Sequence, residues 1–254
     1  MDATSNEVKK KIGISSATLH VIAMLLMLCD HAWGTILGQY IFLNDIGRIA
    51  YPIFAFMIVE GFFHTSNLKK YLLRLFIFAL ISELPFNLMT NGVIIYPYHQ
   101  NVMWTFIIAL GLMAWIEWTK KKEKLWLTII ISILAVMIGF IAGMATFVDY
   151  FGFGVLVVLV FYFFHGRKWW CYAGQVLFLY YIFVEGLGGY CHLITVFGHT
   201  FEVVQEGFAL FALIPIWLYN GSQGYHKKWF QYFCYSFYPA HILILYLLRF
   251  IINW

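Results

Sequence analysis

Charged residues are scarce in this sequence. Only 11% of its 254 residues are Asp, Glu, Lys or Arg, against about 25% in an ordinary soluble domain. That scarcity excludes the usual solvated globular surface. With 63% of residues hydrophobic, a soluble core of this length has nowhere to hide so much apolar surface, and the excess must face lipid. Cysteine is sparse too. Cys29, Cys171, Cys191 and Cys234 form no close-spaced pair, which argues for packed thiols and against a disulfide framework. Neither Cys-x-x-Cys nor His-x-x-x-His spacing occurs, so no metal centre is expected despite nine histidines. Internal repeats and low-complexity linkers are lacking, which leaves a single unit over 1–254. The net charge of +4 is not clustered on one face and calls for no nucleic-acid partner. Gly186, Gly188 and Gly189 lack the strand-to-helix setting of a phosphate loop and read as a flexible turn.

A succession of apolar stretches fills the sequence instead, at 19–37, 46–63, 72–89, 102–118, 125–145, 151–164, 169–184, 201–219 and 230–251. Each suits a transmembrane helix of about 20 residues, although some are short. The expected fold is an all-α polytopic membrane protein of about nine transmembrane helices. Residues 187–197 are a tenth span or a re-entrant piece in the alternatives. A polar leader over 1–17 is expected to be cytoplasmic and uncleaved. Placing that end in the cytoplasm and alternating puts Lys9, Lys10, Lys11, Lys69, Lys70, Lys120, Lys121, Lys122, Lys124, Arg167, Lys168, Lys227 and Lys228 on the cytoplasmic side. Those are 13 of the 16 basic residues, and the outer loops hold none. Nine spans put Trp254 outside. Aromatic pairs such as Trp169-Trp170 and Tyr180-Tyr181 read as interface belts or packing.

Ionisable groups inside spans cost about 2.5–3.5 kcal/mol each, so they are functional candidates, with structural pairing as the alternative. Asp30 and His31 lie about 17 Å into the first span, and Glu83 and His241 about 16 Å into the third and ninth. In a core about 30 Å thick these depths are near the midplane. Three separate helices thus bring acid or imidazole groups to one level, which predicts a sheltered pocket. Asp30 and His31 leave their helix about 100° apart and need not be partners. Arg48 is placed to meet Asp30, or to pair locally with Asp45. His31 suits proton transfer near neutral pH; its alternative is a packing histidine. Pro239 kinks the last span and aims His241 at a cavity, or at a satisfied core position. Glu83 sits in a second proline-broken stretch with Asn87, suited to orienting an imidazole, binding an amine or forming a salt bridge. Glu60 and His64, one turn apart, with Arg74 at similar depth, form a cytoplasmic mouth or a helix-hairpin clasp. Gln205 and Glu206 are acceptor contacts or a snorkelling rim.

Asp30-His31 closes an apolar span. It is followed by Ile46-Gly47-Arg48-Ile49-Ala50-Tyr51-Pro52-Ile53-Phe54-Ala55-Phe56, Val59-Glu60-Gly61-Phe62-Phe63-His64-Thr65, Tyr71-Leu72-Leu73-Arg74-Leu75 and Ile81-Ser82-Glu83-Leu84-Pro85-Phe86-Asn87. Tyr219-Asn220-Gly221 and Phe237-Tyr238-Pro239-Ala240-His241 come near the end. Together these motifs resemble the TraX family, whose namesake acetylates the N-terminal amine of a conjugative pilin. The resemblance is strongest over 18–90 and 205–245. It implies a bacterial cytoplasmic-membrane enzyme that takes an acyl group, expected to be acetyl, from acetyl-CoA on the cytoplasmic side. The acceptor is a peptide amine, a glycan hydroxyl or a small-molecule amine. A distant similarity to acyltransferase family 3 favours His31 as acid/base. On this reading His31, His241, Asp30 and Glu83 are catalytic, and Arg48, Glu60, His64, Arg74, Asn87 and Glu206 bind substrates. A proton-coupled transporter and a non-catalytic assembly factor that binds secreted peptides are the competing functions; the first also fits intramembrane acids with broken helices.

Overall fold

The computed structural model describes residues 13–252, without the side chains of Ile194 and Val196. The lysine run of the leader and the placement of Trp254 lie outside the described residues.

Helix α1 spans Ser16–Thr35, and the Ser15 side chain caps it by accepting from the Thr18 amide. After a short α2 (Phe42–Gly47), α3 (Ala50–His64) enters with Pro52 in its first turn, where the missing amide costs no helical bond. Helix α4 (Leu68–Asn91) is capped by the Asn67 side chain at one end and by Gly92 at the other, in the left-handed conformation that glycine adopts freely. Asn101 caps α5 (Val102–Lys120), which is followed by α6 (Leu125–Ala145), α7 (Phe151–Phe163) and α8 (Trp169–Tyr180); α8 continues as a wider π turn over Tyr181–Leu187. Helix α10 is Lys228–Ile252.

Among the described residues, seven helical stretches are long and apolar enough to cross a membrane: Ser16–Thr35, Phe42–His64, Leu68–Asn91, Val102–Lys120, Leu125–Ala145, Trp169–Leu187 and Lys228–Ile252. Two shorter apolar helices, Phe151–Phe163 and Gln205–Trp217, lie between them. This is a multi-pass membrane protein.

Backbone bonds gather the connections at two ends. The Ile14 and Ser16 amides each donate over 2.8 Å, to Leu218 and Ser222 carbonyls. This places the start of α1 beside the link into α10, at the end that carries the lysine-bearing loops. At the opposite end the Gln100 amide donates to the Phe147 carbonyl over 2.8 Å.

Helix α3 is the hub, with Tyr51, Ile53, Ala55 and Val59 buried among α1, α5 and α7. Helix α6 is the opposite case. Its buried residues are Ala135, Gly139 and Gly143, while Ile129, Ile133 and Ile141 face outward. A Cβ on Gly143 would sit 2.7 Å from Gly152 Cα. Close backbone approach through small residues is how helices associate where lipid removes the hydrophobic drive.

Two expectations are corrected. Residues 187–197 are not a helical span. They lead into an antiparallel hairpin, β1 (Cys191–Val196) with β2 (His199–Val204), in which Cys191 pairs with Val204. Phe197 and Gly198 turn it with φ of 50° and 81°, the backbone of a two-residue hairpin loop. The stretch 201–219 is therefore not one helix. It begins in β2, tightens into a 3₁₀ segment (Gln205–Ala212) and ends as α9 (Leu213–Trp217). Apolar and aromatic residues serve a strand as well as a span, so hydropathy does not separate them.

Candidate functional site

His31 and His241 meet. His31 Nδ1 lies 2.7 Å from His241 Nε2, although 210 residues separate them. The rings are nearly parallel, 6° apart, with centroids 4.9 Å apart. That separation matches an edge-to-edge contact of this length, so the bond lies in both ring planes. His241 Nδ1 is 2.6 Å from the Phe237 carbonyl oxygen, one turn back on α10. A carbonyl only accepts, so with both rings neutral His241 carries its proton on Nδ1. Its Nε2 lone pair then accepts from His31 Nδ1–H, and His31 Nε2 is left with a free lone pair. Tyr238 flanks both rings, with centroids 6.2 Å from His31 and 5.9 Å from His241.

Along α1 the pair lies past the midpoint, toward the end opposite the lysines. Because Ser15 caps α1, the helix begins before residue 19, and His31 lies 15 residues past Ser16, about 22 Å along the axis.

Asp30 turns to other partners. Arg48 Nη2 lies 3.1 Å from its Oδ1, and Asn44 Nδ2 donates to the same oxygen over 2.7 Å. Arg48 Nη1 reaches Glu206 Oε1 at 3.3 Å and the Tyr150 hydroxyl at 3.3 Å. Gln205 donates to the Asn44 side chain. The local Asp45–Arg48 pair does not form; Asp45 is taken by His192 of the hairpin, at 2.9 Å. Gly47 makes this junction possible, since a Cβ there would lie 2.8 Å from Asp30 Cα. Two buried atoms of the network, Arg48 Nε and Glu206 Oε2, have no partner among the described residues.

Glu83 does not join the imidazoles. Its Oε2 accepts from the Asn101 side chain and from Trp104 Nε1 at 3.1 Å, which ties α4 to α5. Its Oε1 is buried without a partner among the described residues. Asn87, also buried, donates to the Ile94 carbonyl over 3.3 Å and holds the loop after α4.

The expected mouth is corrected as well. Glu60 binds His165 Nε2 at 2.6 Å, and His64 lies farther off at 3.7 Å with a largely exposed side chain. Arg74 faces outward and lies 5.9 Å from its neighbour's ring, that of Tyr71. It takes no part in the Glu60 cluster. A cavity of about 180 Å³ opens beside Glu60, lined also by His165, Arg167, Tyr172, Trp217 and Tyr219. Burial and the Glu60 carboxylate push the Tyr219 hydroxyl up to about 12, so it is a neutral donor.

Sequence reasoning missed Tyr150, His165 and His192. It also missed Asp149. Asp149 Oδ1 lies 3.5 Å from His99 Nε2, and that contact raises His99 above the ordinary imidazole value. An acid in a short loop without a basic neighbour was the available signal. Among the described residues no group of three or more His, Cys, Asp or Glu is placed to hold a metal ion.

A known family, described as TraX protein, matches residues 15–249. A curated protein named as a probable fimbrial assembly protein, FimC, serogroup H1, of Dichelobacter nodosus is 38% identical over 78 residues. That stretch covers 29% of this chain and 32% of the relative, so the chain spans about a third of the curated relative's length. No solved structure matches this fold.

Proposed function

The chain belongs to the TraX family, and from that premise we propose that it is a membrane-embedded acyltransferase. It moves an acetyl group from acetyl-CoA, on the lysine-bearing cytoplasmic side, to an amine presented from the opposite side. The observation that carries the reading is the His31–His241 contact, which leaves one imidazole lone pair free in a sheltered place.

In this reaction His31 Nε2 takes a proton from the acceptor nitrogen as it attacks the thioester carbonyl. His241 holds the reactive tautomer through the Phe237 carbonyl and shares the charge as His31 becomes an imidazolium. Arg48 Nε–H, buried without a partner among the described residues, is suited to the oxyanion of the tetrahedral intermediate. Collapse of that intermediate breaks the C–S bond, and the departing thiolate takes the proton from His31. Amine and thioester become amide and thiol, and lipid and protein keep water away.

An amine acceptor is favoured over a hydroxyl by charge. Asp30 and Glu206 share one arginine, and Glu206 Oε2 is still unpaired among the described residues. A surplus of buried negative charge is costly, and an incoming ammonium relieves it, giving up one proton to Glu206 so that the neutral amine attacks. The fimbrial relative's name fits an acceptor among pilus subunits. Purified protein, labelled acetyl-CoA and a panel of peptides with free or blocked N-termini test the reading. Label is expected on free amines with wild type and not with His31→Gln. Equal labelling by both proteins, or none by wild type, defeats it.

A further inference from the structure

We propose that the cavity beside Glu60 holds the phosphate-bearing headgroup of the acyl donor, with the acyl arm running along α3 toward His31. This rests on the acyltransferase reading above and locates its donor site.

The cavity's chemistry suits an anion joined to an aromatic ring. Arg167 is anchored by one bond, Nη2 to the Tyr219 carbonyl oxygen at 2.5 Å. No carboxylate among the described residues pairs with it, so further N–H groups of its fork are available to phosphate. The one acid in the lining, Glu60, is already engaged by His165 at 2.6 Å and by the Tyr219 hydroxyl. Tyr172 and Trp217 stand 5.0 Å apart as an aromatic wall, and Trp217 is steadied by its bond to Gln175 at 2.8 Å. Gly221, at φ 77°, borders open space. At about 180 Å³ the volume is below the roughly 300–1,000 Å³ of pockets that enclose a whole ligand. It suits one end of an elongated molecule.

Two elements run from this cavity to the ion-pair network. Helix α3 carries Phe56 and Glu60 at the cavity and begins two residues after Arg48. The stretch 205–217 carries Glu206 at one end and Trp217 at the other. Its eight 3₁₀ and five α residues rise about 23 Å. A donor bound by its headgroup at Arg167 must therefore be long and flexible to present a thioester to His31. A compact acyl phosphate would not reach.

The full chain in detergent is titrated with coenzyme A, its 3′-dephospho form and pantetheine. Arg167→Ala is expected to weaken coenzyme A binding and raise KM for acetyl-CoA about tenfold, the worth of one charge-assisted hydrogen bond. The rate at saturating donor should stay unchanged, pantetheine binding should be unaffected, and Arg167→Lys should keep most of the affinity. Trp217→Leu checks the aromatic wall independently of the Arg167 anchor and should weaken coenzyme A in the same way. If wild type transfers acetyl while a folded Arg167→Ala, or Trp217→Leu, binds coenzyme A as tightly as wild type, the headgroup site is elsewhere and the enzymatic reading survives. If wild type neither binds coenzyme A nor transfers acetyl, both readings fall together.

Discussion

Asp30 and His31 are adjacent in the sequence, yet they belong to two regions of opposite character. Asp30 is locked into a charged network with Arg48, Asn44 and Glu206. His31 belongs to a chain of neutral-type bonds that ends at the Phe237 carbonyl. A charged network in lipid fixes helices in place because breaking it strands a charge. An imidazole pair keeps a lone pair available because no fixed charge among the described residues bonds to it. The comparison predicts that damage to the first region appears in stability as well as turnover, and damage to the second in turnover alone.

The sharpest test is His31→Gln. Removing the acid/base group should lower kcat by about 10²–10⁴-fold with little change in thermal midpoint; a normal rate breaks the division. Arg48→Met should lower kcat too, since it removes the oxyanion donor, but unlike His31→Gln it should also cost stability. Stranding two carboxylates costs about 3–5 kcal/mol, seen as a lower unfolding midpoint, and adding Asp30→Asn and Glu206→Gln should recover most of it. His241→Ala should lower kcat about 10–100-fold, by analogy with the loss of other histidine-orienting partners, while donor KM stays put. Gly47→Ala should destabilise by about 1–3 kcal/mol through overpacking against Asp30. A neutral effect would show that α1 and α2 separate easily.

The smallest effect is at His99, half-exposed beside Asp149. Asp149 raises it in the folded state, so its stabilisation is full below the unfolded value near 6.5 and fades as pH rises through the folded value. His99→Gln should lower stability by a few tenths of a kcal/mol at most in acid, and match wild type above that range.

Much of the helical frame was legible. The expected boundaries of α5, α6 and α10 fall within about two residues of those observed, because long apolar runs ending at lysine or Asn caps have few alternatives. The hairpin was not legible, since Leu193, Val203 and Phe201 serve either a strand or a span. Asp30 was one of the two partners expected for Arg48, the other being Asp45, and His31 and His241 were expected to share a level. Glu83 was misplaced, because depth says nothing about the direction in which a side chain leaves its helix. The Glu60 cluster was half seen: His64 was found by its one-turn spacing, whereas His165 comes from a loop 105 residues away.

The sequence alone determined that this chain lives in lipid, where its helices fall and which ionisable groups are buried with them. Hydropathy and charge are local sums, weighed residue by residue against the bilayer. Only the tertiary structure decided which of those groups touch. Each residue turns a helix by about 100°, so contact between α1 and α10 depends on how both are rotated and packed. No stretch of sequence contains that relation.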